Sequence, residues 1–340
     1  MRALRLVSEE RLEFADVPAP PAPGPGEVAV AMRAVSLNHI DLFGLRGMAF
    51  AKRALPLTVG VEASGEIAAL GPGVSGLAVG QAVVVYPGQF CGQCRRCRAG
   101  QENLCENIAG IMGFHIDGMA RERLVVKADR VVPVPAGVGF VEAACTTVTF
   151  ATVQHMLFDN ARLEPGETIL VQAGGSGIGT AAIKMAKAIG CTVICTVGDA
   201  AKAAKAKAIG ADHAINYREE RFEGAVRRLT GKKGVDVVFE HTGPDTWGGS
   251  LLSLKRGGRL VTCGSTSGIT AETNLYLLFQ QQLRLIGSFG STLANVRESL
   301  AKMAAGIKPV IDTVIRLDDF PKAIERLRGR DVFGKIVAEI

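Results

Sequence analysis

The chain has 340 residues, 48% hydrophobic and 21% charged, which is enough apolar material for two buried cores and excludes a disordered chain. The net charge is +6, with basic residues dispersed apart from an Arg-rich stretch around Cys94 and the run KRGGR at 255–259. They read mostly as a solvated surface, which argues against a nucleic-acid partner. No run is apolar enough to span a membrane, and the opening MRALRLVSEERLEF lacks the apolar centre of an export signal; the expected location is the cytoplasm, with no membrane partner.

The first part reads as β-rich. The runs EVAVAMRAV (27–35), EASGEIAAL (62–70) and QAVVVY (81–86) alternate with the Gly/Pro turns PAPGPGE and GPGVSG, a spacing that suits a small barrel-like domain. Next comes Cys91-x2-Cys94-x2-Cys97-x7-Cys105, four of the eight cysteines within fifteen residues. Without an export signal, such a cluster points to metal and not to disulfides. Four thiolates complete the closed tetrahedral shell of a structural zinc, with Arg95, Arg96 and Arg98 placed to offset the net charge. An iron–sulfur cluster is the rival reading.

The stretch VEAACTTVTFATVQHML (141–157) has helical periodicity and no Gly or Pro. After it strands and helices alternate: ETILVQA, GIGTAAIKMAKAIG, CTVICTV, AAKAAKAKAIG, AINY, VDVVFEH, GRLVTCG and LRLIGSF. That order implies a parallel sheet with helices on both faces. Between the first strand and helix stand Gly174, Gly175, Ser176, Gly177, Ile178 and Gly179, where small residues bring backbone N–H groups close to a pyrophosphate at a helix N-terminus. Ser176 occupies the middle glycine position of the usual pattern. The second strand ends Thr196-Val197-Gly198-Asp199. Asp199 could bind a ribose 2′-OH, as in NAD sites, yet Gly198 stands at the expected carboxylate position and leaves room for a 2′-phosphate held by Lys202 and Tyr217, with Arg218 a further candidate. NADP(H) is therefore favoured over NAD(H). The last part holds two helices, NVRESLAKMAAG and FPKAIERLRG, and a closing strand KIVAEI that needs a partner in the first domain.

Together GVEASGEIAALGPGV, CGQCRRC with its fourth Cys, AGGSGIG and FGKIVAEI resemble the medium-chain dehydrogenase/reductase superfamily, which includes zinc alcohol dehydrogenases and quinone reductases, over nearly the whole chain. The resemblance implies an α/β protein: a GroES-like β-barrel catalytic domain over 1–148 and 288–340, carrying the zinc lobe 91–105, and a doubly wound Rossmann domain over 149–287. It also implies a homodimer or homotetramer, often joined through the edge strand near LRLIGSF. Where zinc alcohol dehydrogenases have Cys-x-x-Asp and Gly-His-Glu around a catalytic metal, this chain has Asn38-His39-Ile40-Asp41 and Gly60-Val61-Glu62, leaving only Cys145 at the third ligand position. Two donors at most fall short of the three that a catalytic zinc requires. Ile40 also replaces the hydroxyl that relays the alcohol proton.

These departures imply an NADPH-dependent reductase of a quinone, enone or enoyl thioester, with a small carbonyl-conjugated molecule as substrate and one structural Zn²⁺ as the only metal. Asn38, Tyr86 and Thr149 are the candidate donors to the carbonyl oxygen, His39 matches a position that contacts the cofactor pyrophosphate, and Asp41 reads as structural. The alternatives are a zinc-type alcohol dehydrogenase and a non-enzymatic nucleotide- or RNA-binding protein on the same fold. Substrate-contacting side chains are expected in loops such as 45–55 and near Phe90.

Overall fold

A computed structural model describes residues 1–47 and 53–340; much of the expected substrate loop 45–55 lies outside the described residues. The chain divides into two compact units, Met1–Ala151 with Ser291–Ile340, and Thr152–Gly290.

The first unit is built on a sheet in the order Ile311–Arg316, Lys335–Glu339, Glu27–Ser36, Ala63–Leu70, Ala82–Val85, Val131–Pro133, with Arg123–Lys127 also paired to Glu27–Ser36. A three-stranded sheet, Arg11–Asp16, Arg2–Ser8 and Leu57–Thr58, completes it. The period of two in EVAVAM turns Val28, Val30 and Met32 into a core shared with Leu4, Leu6, Ile67 and Leu124. The strand Lys335–Glu339 lies antiparallel to Glu27–Ser36, with Val337 opposite Ser36, so this late segment does pair with the first part of the chain. Ile311–Arg316, unread in the sequence, runs parallel beside it.

The second unit is a parallel six-stranded sheet ordered His213–Asn216, Thr192–Val197, Thr168–Val171, Val235–Glu240, Leu254–Thr262, Arg284–Gly287. In chain order this is 3-2-1-4-5-6, the doubly wound Rossmann arrangement. Consecutive residues Val237, Val238 and Phe239 are all fully buried, as a strand covered on both faces requires.

Two local expectations change. The helical stretch 141–157 is not one α-helix: Phe140–Ala143 and Ala151–Gln154 are α-helical, while Thr146–Phe150 and His155–Asn160 are wide π-type turns. The cause at the first is visible, because the N–H groups of Val148 and Thr149 donate to the Glu62 carboxylate in place of an intrahelical carbonyl. The run KRGGR is solvated at Lys255, Arg256 and Gly257 but not at its end. It lies in the strand Leu254–Thr262, and Arg259 is buried, forked onto Glu167 at 2.6 and 2.8 Å and bonded to the carbonyls of Ala161 and Arg162.

Candidate functional site

Three neighbouring strands of the first unit deliver polar residues to one end of its sheet. Ser36 closes one strand, Glu62 immediately precedes the next, and Lys335 opens the third. The register is held by the Ser36 N–H on the Glu62 carbonyl (2.9 Å) and the Leu37 N–H on the Ile336 carbonyl (3.0 Å). Glu62 is completely buried and collects six donors. Its Oε1 accepts from the backbone N–H groups of Val148 (2.7 Å) and Thr149 (2.6 Å). Its Oε2 accepts from Ser36 Oγ (2.8 Å), Asn38 Nδ2 (3.0 Å), Thr149 Oγ1 (2.9 Å) and the Lys335 ammonium (3.2 Å). The last contact is a buried ion pair, stable because every charged atom is hydrogen-bonded.

Of the three expected carbonyl donors, two are withdrawn from that role. Tyr86 donates its hydroxyl to the Ser291 carbonyl at 2.6 Å, and burial pushes its phenol above its ordinary range; it pins the segment that re-enters the first unit. Thr149 is fully buried, with its hydroxyl shared between Glu62 Oε2 and Asn38 Oδ1 (3.2 Å). Asn38 is partly exposed and remains. Its amide donates to the Ser36 carbonyl (3.1 Å) and to Glu62, and its Oδ1 accepts from Lys335 at 2.6 Å.

Val61 is fully buried and packs with Phe114 against the partly exposed Ile40, Phe43, Ile111 and Val148, so the second motif position faces hydrocarbon. Cys145 is also fully buried, and burial pushes its thiol up to about 12. His39, partly exposed, is the first residue of the helix His39–Arg46. Asp41, 4% exposed, accepts the Asn38 N–H on Oδ2 (2.8 Å) and leaves Oδ1 without a partner. Burial raises its carboxyl to about 7, against the pull of the Asn38 N–H and the Lys335 charge. The sequence reading missed Lys335. A lysine inside KIVAEI, where Ile336, Val337 and Ala338 are all buried, was the available signal, since such a charge demands a carboxylate partner.

In the second unit the glycine turn joins Thr168–Val171 to the helix Gly177–Ala188. A Cβ on Gly174 would lie 2.8 Å from Cys195 Cβ, and one on Gly179 would lie 2.3 Å from the Ala173 carbonyl oxygen, so both glycines are sterically required. The left-handed residue of the turn is Ala173, at φ 47°. Ser176 is the N-cap, accepting from the Gly179 N–H at 3.0 Å. Small residues with a capped, donor-bearing helix start fit a dinucleotide pyrophosphate. At the next strand end, Asp199 caps the helix Ala200–Ala208 by accepting from the Lys202 N–H at 2.7 Å. Gly198 faces Tyr217 and Arg218: a Cβ there would meet Tyr217 Oη at 2.9 Å and Arg218 Nε at 3.8 Å. Glu240, buried at the end of its strand, holds the N–H groups of His241, Thr242 and Gly243 and the hydroxyls of Thr246 and Ser250. His241 Nε2 donates to the Gln172 carbonyl at 2.9 Å, and burial lowers the pKa of the ring.

Cys91, Cys94, Cys97 and Cys105 converge with their sulfurs all within 4.8 Å of one another, and all four are free thiols. The Cys94–Cys97 and Cys91–Cys97 sulfur separations are 3.5 and 4.0 Å. Bonds of about 2.3 Å to a tetrahedral zinc would space sulfurs by about 3.8 Å. The N–H groups of Cys91, Cys94 and Cys97 point at neighbouring sulfurs; those of Gln93 and Cys94 draw the Cys91 thiol down to about 6, while desolvation pushes the Cys97 thiol up to about 12. The donor set therefore fits a structural zinc. Arg96 is engaged with Gln101 Oε1 at 2.8 Å. Among the described residues, this is the only group of three or more His, Cys, Asp or Glu placed to hold a metal ion.

Known proteins agree with this architecture. The zinc-binding dehydrogenase family matches residues 177–307, and the alcohol dehydrogenase GroES-like domain family matches 24–136. The quinone oxidoreductase of Salmonella typhimurium is 32% identical, over 77% of this chain and 72% of its own. The acryloyl-coenzyme A reductase of Metallosphaera sedula is 30% identical, over 93% of both. A crystal structure of an NAD-dependent alcohol dehydrogenase is 39% identical over the full length of both chains, with a TM-score of 0.94. The chain belongs to the medium-chain dehydrogenase/reductase superfamily. It is an oxidoreductase of the α/β type, with a GroES-like barrel and a Rossmann sheet.

Proposed function

We propose that this protein is an NADPH-dependent reductase of quinones, enones or enoyl thioesters that works without a catalytic metal. The observation that carries the reading is the donor set around Glu62. The two motif positions that would bear a thiolate and an imidazole carry an amide and a valine, and Glu62 itself is filled by six donors, one of them an ammonium. Bound NADPH would supply the hydride. Residues Gly174–Gly179 would hold its pyrophosphate, and Tyr217, Lys202 and Arg218 its 2′-phosphate beside Gly198; His39 is assigned to the cofactor as well. Asn38 would bind the substrate's carbonyl oxygen and stabilise the negative charge that gathers there. The apolar group around Val61 would receive the hydrocarbon of the acceptor. Removing hydride from an alcohol would instead require a base or Lewis acid for its O–H proton, and none of these residues offers one.

Cys91, Cys94, Cys97 and Cys105 would hold the zinc, which braces the lobe. We also assign the chain to the cytoplasm, in line with the absence among the described residues of any helix long and apolar enough to cross a membrane. Association as a homodimer or homotetramer through the Arg284–Gly287 edge is supported by the exposed, edge-on ring pair Tyr276 and Phe279 on the preceding helix Leu275–Gln280.

The test is oxidation of NADPH and of NADH with a panel of quinones, enones, enoyl thioesters and ketones, alongside metal analysis. Turnover of conjugated acceptors with NADPH and one zinc per chain is expected. Turnover confined to the alcohol/ketone pair with two metals per chain refutes the reading, as does cofactor binding without turnover of any acceptor.

A further inference from the structure

Lys335 has no assigned role, yet among the described residues its ammonium is the only cation bonded to Glu62, and all three of its hydrogens are directed: to the Leu37 carbonyl (2.7 Å), Asn38 Oδ1 (2.6 Å) and Glu62 Oε2 (3.2 Å). Two consequences follow from counting donors. Asn38 Oδ1 is anchored by a charge-assisted bond, so the orientation of the amide is set. Glu62 Oε2 is offered four donors, from Ser36, Asn38, Thr149 and Lys335, where a carboxylate oxygen has about two lone pairs. With the single Thr149 proton given to Asn38 Oδ1 (3.2 Å), three donors remain for two lone pairs and one is surplus. Ser36, Thr149 and Lys335 are buried, whereas Asn38 is partly exposed, so the surplus N–H that a substrate can reach is that of Asn38.

We propose that Lys335 is a positioning residue of the reaction: bound to Asn38 Oδ1 and Glu62 Oε2, it orients the Asn38 amide and releases one of its N–H groups from the buried carboxylate to the carbonyl oxygen of the substrate. The ammonium also polarises the amide, making that N–H a stronger donor as negative charge gathers on the substrate oxygen. Nothing is transferred to or from Lys335. The inference rests on the reading of Asn38 as the carbonyl-binding group.

Because K335M alone would leave Glu62 charged and buried without its cation, the test compares E62Q with E62Q/K335M, each with Asn38 and with N38A. Measured are kcat at saturating cofactor, KM for NADPH, and the thermal midpoint. With Asn38 present, adding K335M to E62Q is expected to lower kcat about tenfold with KM for NADPH unchanged, and in N38A to lower it less than about twofold. The thermal midpoint should change equally in both backgrounds. A tenfold loss in both backgrounds, or none with Asn38 present, overturns the proposal. S36A removes another donor from the same oxygen with little risk to folding. It should lower kcat roughly two- to fourfold, an effect absent in N38A, and an unchanged kcat overturns the surplus-donor argument. The series is run with whichever quinone, enone or alcohol is turned over. Turnover of alcohols alone therefore refutes the reductase reading while the coupling between Lys335 and Asn38 stays measurable.

Discussion

Tyr86 and Asp41 show how far a side chain's neighbours outweigh its chemical type. A phenol near a reaction site invites the role of oxyanion donor, but the Tyr86 proton is held by the Ser291 carbonyl and the residue is 5% exposed. Tyr86→Phe should therefore cost about 1 kcal/mol of stability, read by urea unfolding, and leave kcat within a few-fold; loss of an oxyanion donor would instead lower kcat about a hundredfold. Asp41 is the opposite case, a residue read as structural whose environment makes it titrate near neutrality. Its carboxyl stands at about 7 in the fold against 3.8 unexposed to it. A raised acid contributes stability that is complete below the unfolded value and is lost as pH rises through the folded one. Asp41→Asn does not titrate there. Relative to it, the natural chain should lose up to about 4 kcal/mol between pH 4 and 7, and parallel stability curves for the two would contradict the assignment. Neither outcome was legible in sequence, because a carbonyl partner from residue 291 and an orphaned oxygen on Asp41 are tertiary facts.

Elements were more legible than residues. Short apolar runs gave the strands Glu27–Ser36, Ala63–Leu70 and Ala82–Val85, and the alternation after residue 160 gave the parallel sheet, because both patterns are local. The misreadings came where a distant side chain intervened, as when Glu62 took the N–H groups of Val148 and Thr149 from their helix and when Glu167 drew Arg259 inside. The spacing of the four cysteines was readable for the same reason that the strands were, since it lies within one short loop. Lys335 was hidden by distance, although an apolar strand opening on lysine advertised a missing partner. Cofactor choice also belongs at this scale, because the parallel register that sets Val197 against Asn216 brings Gly198 under Tyr217 and Arg218. Gly198→Asp would put a carboxylate where we assign the 2′-phosphate. We expect it to lower kcat/KM for NADPH at least tenfold relative to NADH, and an unchanged ratio would remove Gly198 from the cofactor assignment.

At the scale of the whole first unit, the cysteine lobe is a fastening. Glu102, between Cys97 and Cys105, accepts the N–H of Leu293 at 3.3 Å, at the start of the helix Leu293–Ala304, while Tyr86 grips Ser291. That helix packs beneath the π-turn that Glu62 organises, with Met303 Sδ taking the Thr146 hydroxyl. Loss of zinc should accordingly loosen more than the lobe. Cys94→Ser is expected to bind no zinc and to lower the thermal midpoint by several degrees, with faster amide exchange in residues 291–304 as well as 91–105. Faster exchange confined to the lobe would argue against the fastening.

The contacts of Lys335 also dictate when the barrel can close. They bridge 297 residues to Asn38 and 273 to Glu62, with the entire second unit translated in between. At roughly 5–20 residues per second, the nascent first half waits roughly 15–60 s on the ribosome with Ala34–Ser36 unpaired on one side and an acidic side chain lacking its counterion. The first unit is therefore expected to close after the second during synthesis, an order that limited proteolysis of nascent chains would read.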